Sequence, residues 1–154
     1  MLFKETAAVR LLGLRIPVLL FVAPHVIELD DEGAAVGIPL GWRTRNHVGS
    51  MYVGVLAAGA DLASGMNAFA LIRARHPRVV PVFKYARMEF RKRADGDVVF
   101  RTRDGRRIAE AVASTERTGE RVTLPVDVVA TVPEKYGDEP VATFTMGLSL
   151  KKRT

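Results

Sequence analysis

The sequence predicts an α+β fold in which a six-stranded antiparallel sheet wraps around one long central helix. Three observations predict it. First, residues 81–93, 121–132 and 141–151 alternate apolar and polar side chains, the period of strands with one face covered. Second, the run from Met51 to Ile72 is apolar almost throughout, the signature of a helix buried on all sides. Third, no other segment is apolar enough to cover so much sheet, so the sheet must curve around that helix.

The elements follow in order. Apolar positions from Leu2 to Leu14 recur near helical spacing, and Gly13 and Pro17 mark where that helix ends or kinks. Pro17 to Ala23 fits a second helical turn or an extended segment equally. His25 to Asp30 and Ala34 to Leu40 read as a hairpin around the turn Asp31-Glu32-Gly33. After the central helix, His76-Pro77 stops regular helix. In the strand that follows, Val82, Ala86, Met88 and Phe90 are expected on one face and Arg87, Glu89 and Arg91 on the other. Ala94 to Asp97 turns the chain into a strand at 98–103. Asp104 is placed to cap a helix buried through Ile108, Ala111, Val112 and Thr115, closed by Gly119. Two more alternating strands, separated by a loop over 134–139, bring the totals to six strands, one long helix and two lesser ones. Residues 1–154 are assigned to a single domain, with an N-terminal helical segment over 1–24 and the central helix over 50–74.

Composition narrows the functional classes. The chain has 154 residues, 48% of them hydrophobic and 26% charged, which suits a globular domain with a substantial core. There is no cysteine, so disulfides, thiolate metal sites and cysteine nucleophiles are excluded, and a cytoplasmic location is expected. His25, His47 and His76 lack ligand spacing, so no metal is expected. The net charge of +6 favours an anionic partner, although interleaved acids make much of it an ordinary soluble surface. Base-stacking aromatic platforms are lacking, which disfavours nucleic acid. Ile16 to Ala23 is too short, and too poor in small residues, for a secretory leader. Met51 to Ile72 is long enough to span a bilayer, but Asp61 near its centre would cost about 2.5–3.5 kcal/mol on insertion. No membrane partner is expected.

Asp61 is the only formal charge between Arg45 and Arg73. A carboxylate inside the most apolar helix needs a partner or a task. The plainer reading pairs it with Ser64, a tyrosine or an arginine; the sharper one makes it catalytic. Upstream, Asn46-His47-Val48-Gly49-Ser50-Met51-Tyr52-Val53-Gly54 leads into the helix, whose first amides carry no intrahelical partner. His47 lies off the pattern described next and reads as loop packing.

This element order and motif resemble the hotdog-fold thioesterase superfamily over nearly the whole chain. The resemblance is to the phenylacetate-pathway type of acyl-CoA thioesterase, and more closely to an uncharacterised thioesterase-like branch of domains of unknown function. The superfamily pattern has an Asn, a Gly three residues on, a His-Gly-Gly triplet opening the helix, and an acid seven residues after it. Asn46, Gly49, Gly54 and Asp61 match; Tyr52 and Val53 stand in place of the His and the first Gly.

The resemblance implies hydrolysis of an acyl-CoA thioester without a cofactor. Asp61 would be general base or nucleophile, and the amides at Val53 and Gly54 would hold the carbonyl oxygen. Asn46 would position the loop or donate from its side chain. Gly49, Tyr52, Ser64 and Gly65 are assigned to substrate binding, with Ser64 able to hold a water. Gly54 and Asp61 share a helix face but lie about 10 Å apart along it, too far to touch one carbon. Two antiparallel helices across a two-fold axis would bring Gly54 of one chain to Asp61 of another, so a homodimer, or a tetramer of paired dimers, is expected. Arg73, Arg75, Arg78 and Arg91 are candidates for the coenzyme phosphates. The loss of the His-Gly pair motivates an alternative, a non-catalytic acyl-CoA or lipid binding protein. A basic nucleic-acid binder ranks third.

Overall fold

A computed structural model describes residues 1–154. The elements run α1 (Phe3–Leu12), α2 (Pro17–Val22), β1 (His25–Leu29), β2 (Ala34–Ile38), α3 (Val53–Arg75), β3 (Val79–Phe90), β4 (Val98–Thr102), α4 (Gly105–Thr118), β5 (Val122–Thr131), α5 (Pro133–Tyr136) and β6 (Pro140–Lys152). All six strands form one antiparallel sheet in the order β1-β2-β4-β5-β6-β3, with α3 packed along its concave side. This is the hotdog architecture that the sequence predicts.

Side-chain size decides how closely sheet and helix approach. The ring of Phe100 on β4 sits where a Cβ on Gly59 would stand, 2.3 Å from that position, so only glycine permits the contact. Around it, Val36, Leu56, Ala60, Phe144 and Met146 form the larger part of the core. A second part surrounds the C-terminal half of α3, where α4 adds Ile108, Ala111 and Val112. The helix α3 has the length and composition of a membrane span, but the sheet encloses it as the core helix.

Several boundaries differ from expectation, each for a physical reason. Pro17 stands at the first helical turn of α2, where its fixed φ is favourable, so the ambiguous 17–23 segment is helical. The central helix starts at Val53 rather than 50, because residues 44–52 are held in a hydrogen-bonded loop. The one-turn helix α5 occupies what was read as loop, so the lesser helices number four. Asp104 does not cap α4. Its carboxylate instead accepts from Arg107 at 2.8 Å and from the Asp127 amide at 2.9 Å.

The largest departure is in β3. Phe83 pairs with Leu148 and Tyr85 with Gly147, leaving Lys84 as an extra residue in a bulge. The bulge reverses the alternation. Phe83 before it and Ala86, Met88 and Phe90 after it lie on the same side as the buried residues of β6, the last three still exposed at the open edge, while Val82 faces the other side, contrary to the sequence assignment.

Candidate functional site

The loop before α3 is built around Asn46. Its side-chain oxygen accepts the amides of Val48 at 3.0 Å and Ser50 at 3.1 Å. Its own amide donates to the Ser50 carbonyl at 2.7 Å, and its carbonyl accepts the Gly49 amide at 3.2 Å. Gly49 takes φ +79°, a left-handed conformation that a side chain would strain, which explains the glycine three residues after the Asn. Asn46 therefore positions the loop with its oxygen and main chain, leaving its side-chain NH2 without a partner.

Arg93, in the segment after β3, clamps the same loop, donating from Nε to Ser50 Oγ at 3.0 Å and from its terminal nitrogen to the Val48 carbonyl. Sequence reasoning missed this residue. An arginine at a strand end looks like any solvated charge until the fold brings it back to the loop.

At the start of α3, Tyr52 accepts at its carbonyl from Val55 and Leu56, and donates from its amide to the Thr44 carbonyl at 2.8 Å. The amides of Val53 and Gly54 have no hydrogen-bond partner, and no side chain caps the helix. Two free donors at a helix N-terminus form a natural seat for a partial negative charge. The Tyr52 phenol, half-exposed, lies over Gly54 with Cε1 2.6 Å from where a Cβ would stand. A Cβ at 54 would push the Tyr52 ring away from this turn. Beside this turn, a groove of about 460 Å³ is lined by Asn46, Val48, Val53, Leu56 and Phe90 among others.

Two turns further along, Asp61 is partly buried and its carboxylate makes neither a hydrogen bond nor an ion pair. The partners that would have made it structural are absent. Desolvation by the surrounding apolar atoms raises its pKa above the ordinary carboxylate value. Its side of α3 carries Gly54, Ala57, Ala58 and Gly65, all small and none fully buried. Strand β3 flanks this side, from Phe83 beside Gly65 to Phe90 beside Val53 and Leu56.

Ser64 does not join the site as expected. Its hydroxyl is fully buried and donates to the Ala60 carbonyl at 2.7 Å and the Asp61 carbonyl at 3.1 Å, so it is not available to hold a water. Of the candidate phosphate ligands, Arg78 is paired with Glu116 at 3.3 Å and Arg91 with Glu89 at 3.4 Å, while Arg73 and Arg75 are exposed without ion-pair partners. No group of acidic and histidine side chains has metal-binding geometry.

The family model described as a domain of unknown function, DUF4442, matches residues 5–148. The chain belongs to the DUF4442 family. No curated protein matches the sequence. Among solved structures, this DUF4442 chain is similar to a Pseudomonas aeruginosa protein of unknown function, described as a probable thioesterase. They share 22% identity at a TM-score of 0.77, covering 99% of this chain and 97% of that one. A Chlorobaculum tepidum protein of unknown function superposes at a TM-score of 0.81 with 13% identity, covering 97% and 95%. A thioesterase from Haemophilus influenzae superposes at 0.64 with 12% identity, covering 88% and 82%. At these identities the likeness establishes the shared hotdog fold of the DUF4442 chain and its neighbours.

Proposed function

We propose that this protein is an acyl-CoA thioesterase acting as a homodimer with two shared sites. The observation that carries the reading is the unpartnered Asp61 carboxylate, on the same face of α3 as the two unpartnered amides that open the helix. A partly buried acid with no protein partner, its pKa raised by desolvation, costs stability, and such a cost is best understood as serving chemistry. The thioesterases among the structural neighbours support the same reaction class.

The two halves of this site are too far apart within one chain to act on one carbon, about 10 Å along the helix. A second copy supplies the missing half. The edge strand β3 supports that pairing. It is a long strand whose backbone beyond Val79 bonds only to β6, with Tyr85, Met88 and Phe90 substantially exposed. In the dimer, the thioester carbonyl oxygen sits at the amides of Val53 and Gly54 in one protomer, facing Asp61 of the other. Asp61 takes a proton from water as the hydroxide adds to the carbonyl carbon. Collapse of the tetrahedral intermediate breaks the carbon–sulfur bond, and the departing thiolate takes the proton. Alternatively, direct attack by Asp61 expels the thiolate and leaves a mixed anhydride, which water then hydrolyses to the acid and free Asp61, the released proton going to the thiolate.

The test is Asp61→Asn, assayed by thiol release from short- and medium-chain acyl-CoAs. Removing a general base lowers the rate by about 10²–10⁴-fold. Equal rates in mutant and wild type would take Asp61 out of the reaction.

A second reading, an acyl-CoA or lipid binding protein without turnover, draws on Tyr52. Its ring covers the first turn at Gly54, where an incoming carbonyl would approach the amides. Tight acyl-CoA binding without thiol release across a broad substrate panel would favour that reading.

A further inference from the structure

The N-terminal face of the molecule is apolar, cationic and uncovered. On α1, Phe3, Ala7 and Leu11 share one exposed side, which Leu14 continues in the following turn. Beside it, α2 exposes Val18 and Phe21 while burying Leu19 and Val22. The loop after β2 then adds Trp42, 76% exposed, with its ring edge-on to Phe21 at 5.9 Å. Large apolar side chains concentrated in this way are unusual on a surface with nothing to meet.

The charges around this face are almost all positive. Lys4, Arg10, Arg15, Arg43 and Arg45 are exposed, and none takes part in an ion pair. Before Glu28 the chain has a single acid, Glu5. At the turn after β1 and on β4, by contrast, arginines are matched, Arg101 and Arg103 with Glu28, and Arg106 with Glu32. The Arg43 guanidinium lies over both aromatic rings, 5.8 Å from Phe21 and 5.9 Å from Trp42, so charge and aromatic surface are presented together.

We propose that this face docks on the surface of an anionic phospholipid bilayer. Aliphatic side chains from two short helices enter the boundary between headgroups and acyl chains. The tryptophan lies at headgroup depth, and the arginines meet lipid phosphates. This departs from the sequence expectation of no membrane partner, because the periodicity of residues 1–24 alone does not tell which side of the helices is buried. The contact is peripheral: α3 stays inside the sheet and nothing spans the bilayer. The inference does not depend on the thioesterase reading, although a chain docked this way would meet acyl substrates where they concentrate.

Trp42 is the only tryptophan, so its fluorescence reports this face directly. The full chain is mixed with vesicles of phosphatidylcholine in which about one lipid in four is phosphatidylglycerol, and separately with vesicles of phosphatidylcholine alone. A blue shift, protection from acrylamide quenching and co-sedimentation are expected with the anionic vesicles only, weakening as salt is raised. Arg10→Glu with Arg15→Glu leaves the surroundings of Trp42 intact and should lower the partition constant by about tenfold or more. Leu11→Ser with Leu14→Ser should also release the protein. Both variants alter exposed side chains and should keep the wild-type circular dichroism. Absence of binding by the wild type at low salt overturns the proposal, as does equal binding by the charge-reversed variant. If Leu11→Ser with Leu14→Ser instead reduces the molar mass in solution and vesicles are not bound, the face is a contact between copies and the proposal fails.

Discussion

At the β1 edge of the sheet, Thr6 of α1 accepts the Val26 amide at 2.9 Å, and the Leu2 amide donates to the Val26 carbonyl at 2.7 Å. At the β3 edge, no backbone group between residues 80 and 90 bonds to anything but β6, and apolar side chains stand exposed beside the strand. The first flank satisfies its own polar groups within the chain. The second leaves a strand edge, a carboxylate and two helix amides without partners, all within reach of α3's small-residue face. The difference teaches which edge of the sheet the chain closes with its own residues and which edge it leaves open to strand pairing.

Four substitutions or conditions break or sharpen that contrast. The largest effect belongs to Asp61→Asn on the open flank, the loss of thiol release by about 10²–10⁴-fold described above, with the fold retained. Next, Met88→Asp with Phe90→Asp places charges on the open edge. Burying them uncompensated in a dimer would cost about 3–5 kcal/mol, enough to leave single chains in sedimentation or light scattering and to abolish turnover with them. The closed flank answers differently. Thr6→Val strands a buried amide at Val26 and should cost about 1–3 kcal/mol in urea unfolding, with no change in oligomeric state.

The smallest effect is a pH dependence. Because burial raises the pKa of Asp61, the folded state holds that proton more tightly than the unfolded chain does. Asp61 therefore opposes folding above its raised pKa, and this opposition is relieved as pH falls through that value. Wild type should accordingly melt below Asp61→Asn at neutral pH, with the gap narrowing on acidification. Activity should fall over the same range, as the base is protonated.

Much of this was legible beforehand. The alternation in residues 122–132 and 142–150 left little freedom in β5 and β6, and a single acid in an apolar helix pointed to Asp61. What escaped reading depended on contacts distant in sequence or on one-residue shifts. No local pattern announces that Arg93 returns to Ser50, or that Lys84 is extra and turns Val82 outward. Ser64 carried a similar trap, since a helix serine bonds back to its own backbone as readily as it faces a cavity.

The bulge at Lys84 has a consequence for the life of a newly made chain. It divides the open edge into two shorter ladders, 79–83 and 85–90, and adds local twist between them. A flat, unbroken edge of that length would accept any extended segment and template endless stacking into fibrils. The kinked edge fits only a strand with matching curvature, such as another copy of itself. The break in register at Lys84 thereby limits what can add to this edge by simple strand pairing.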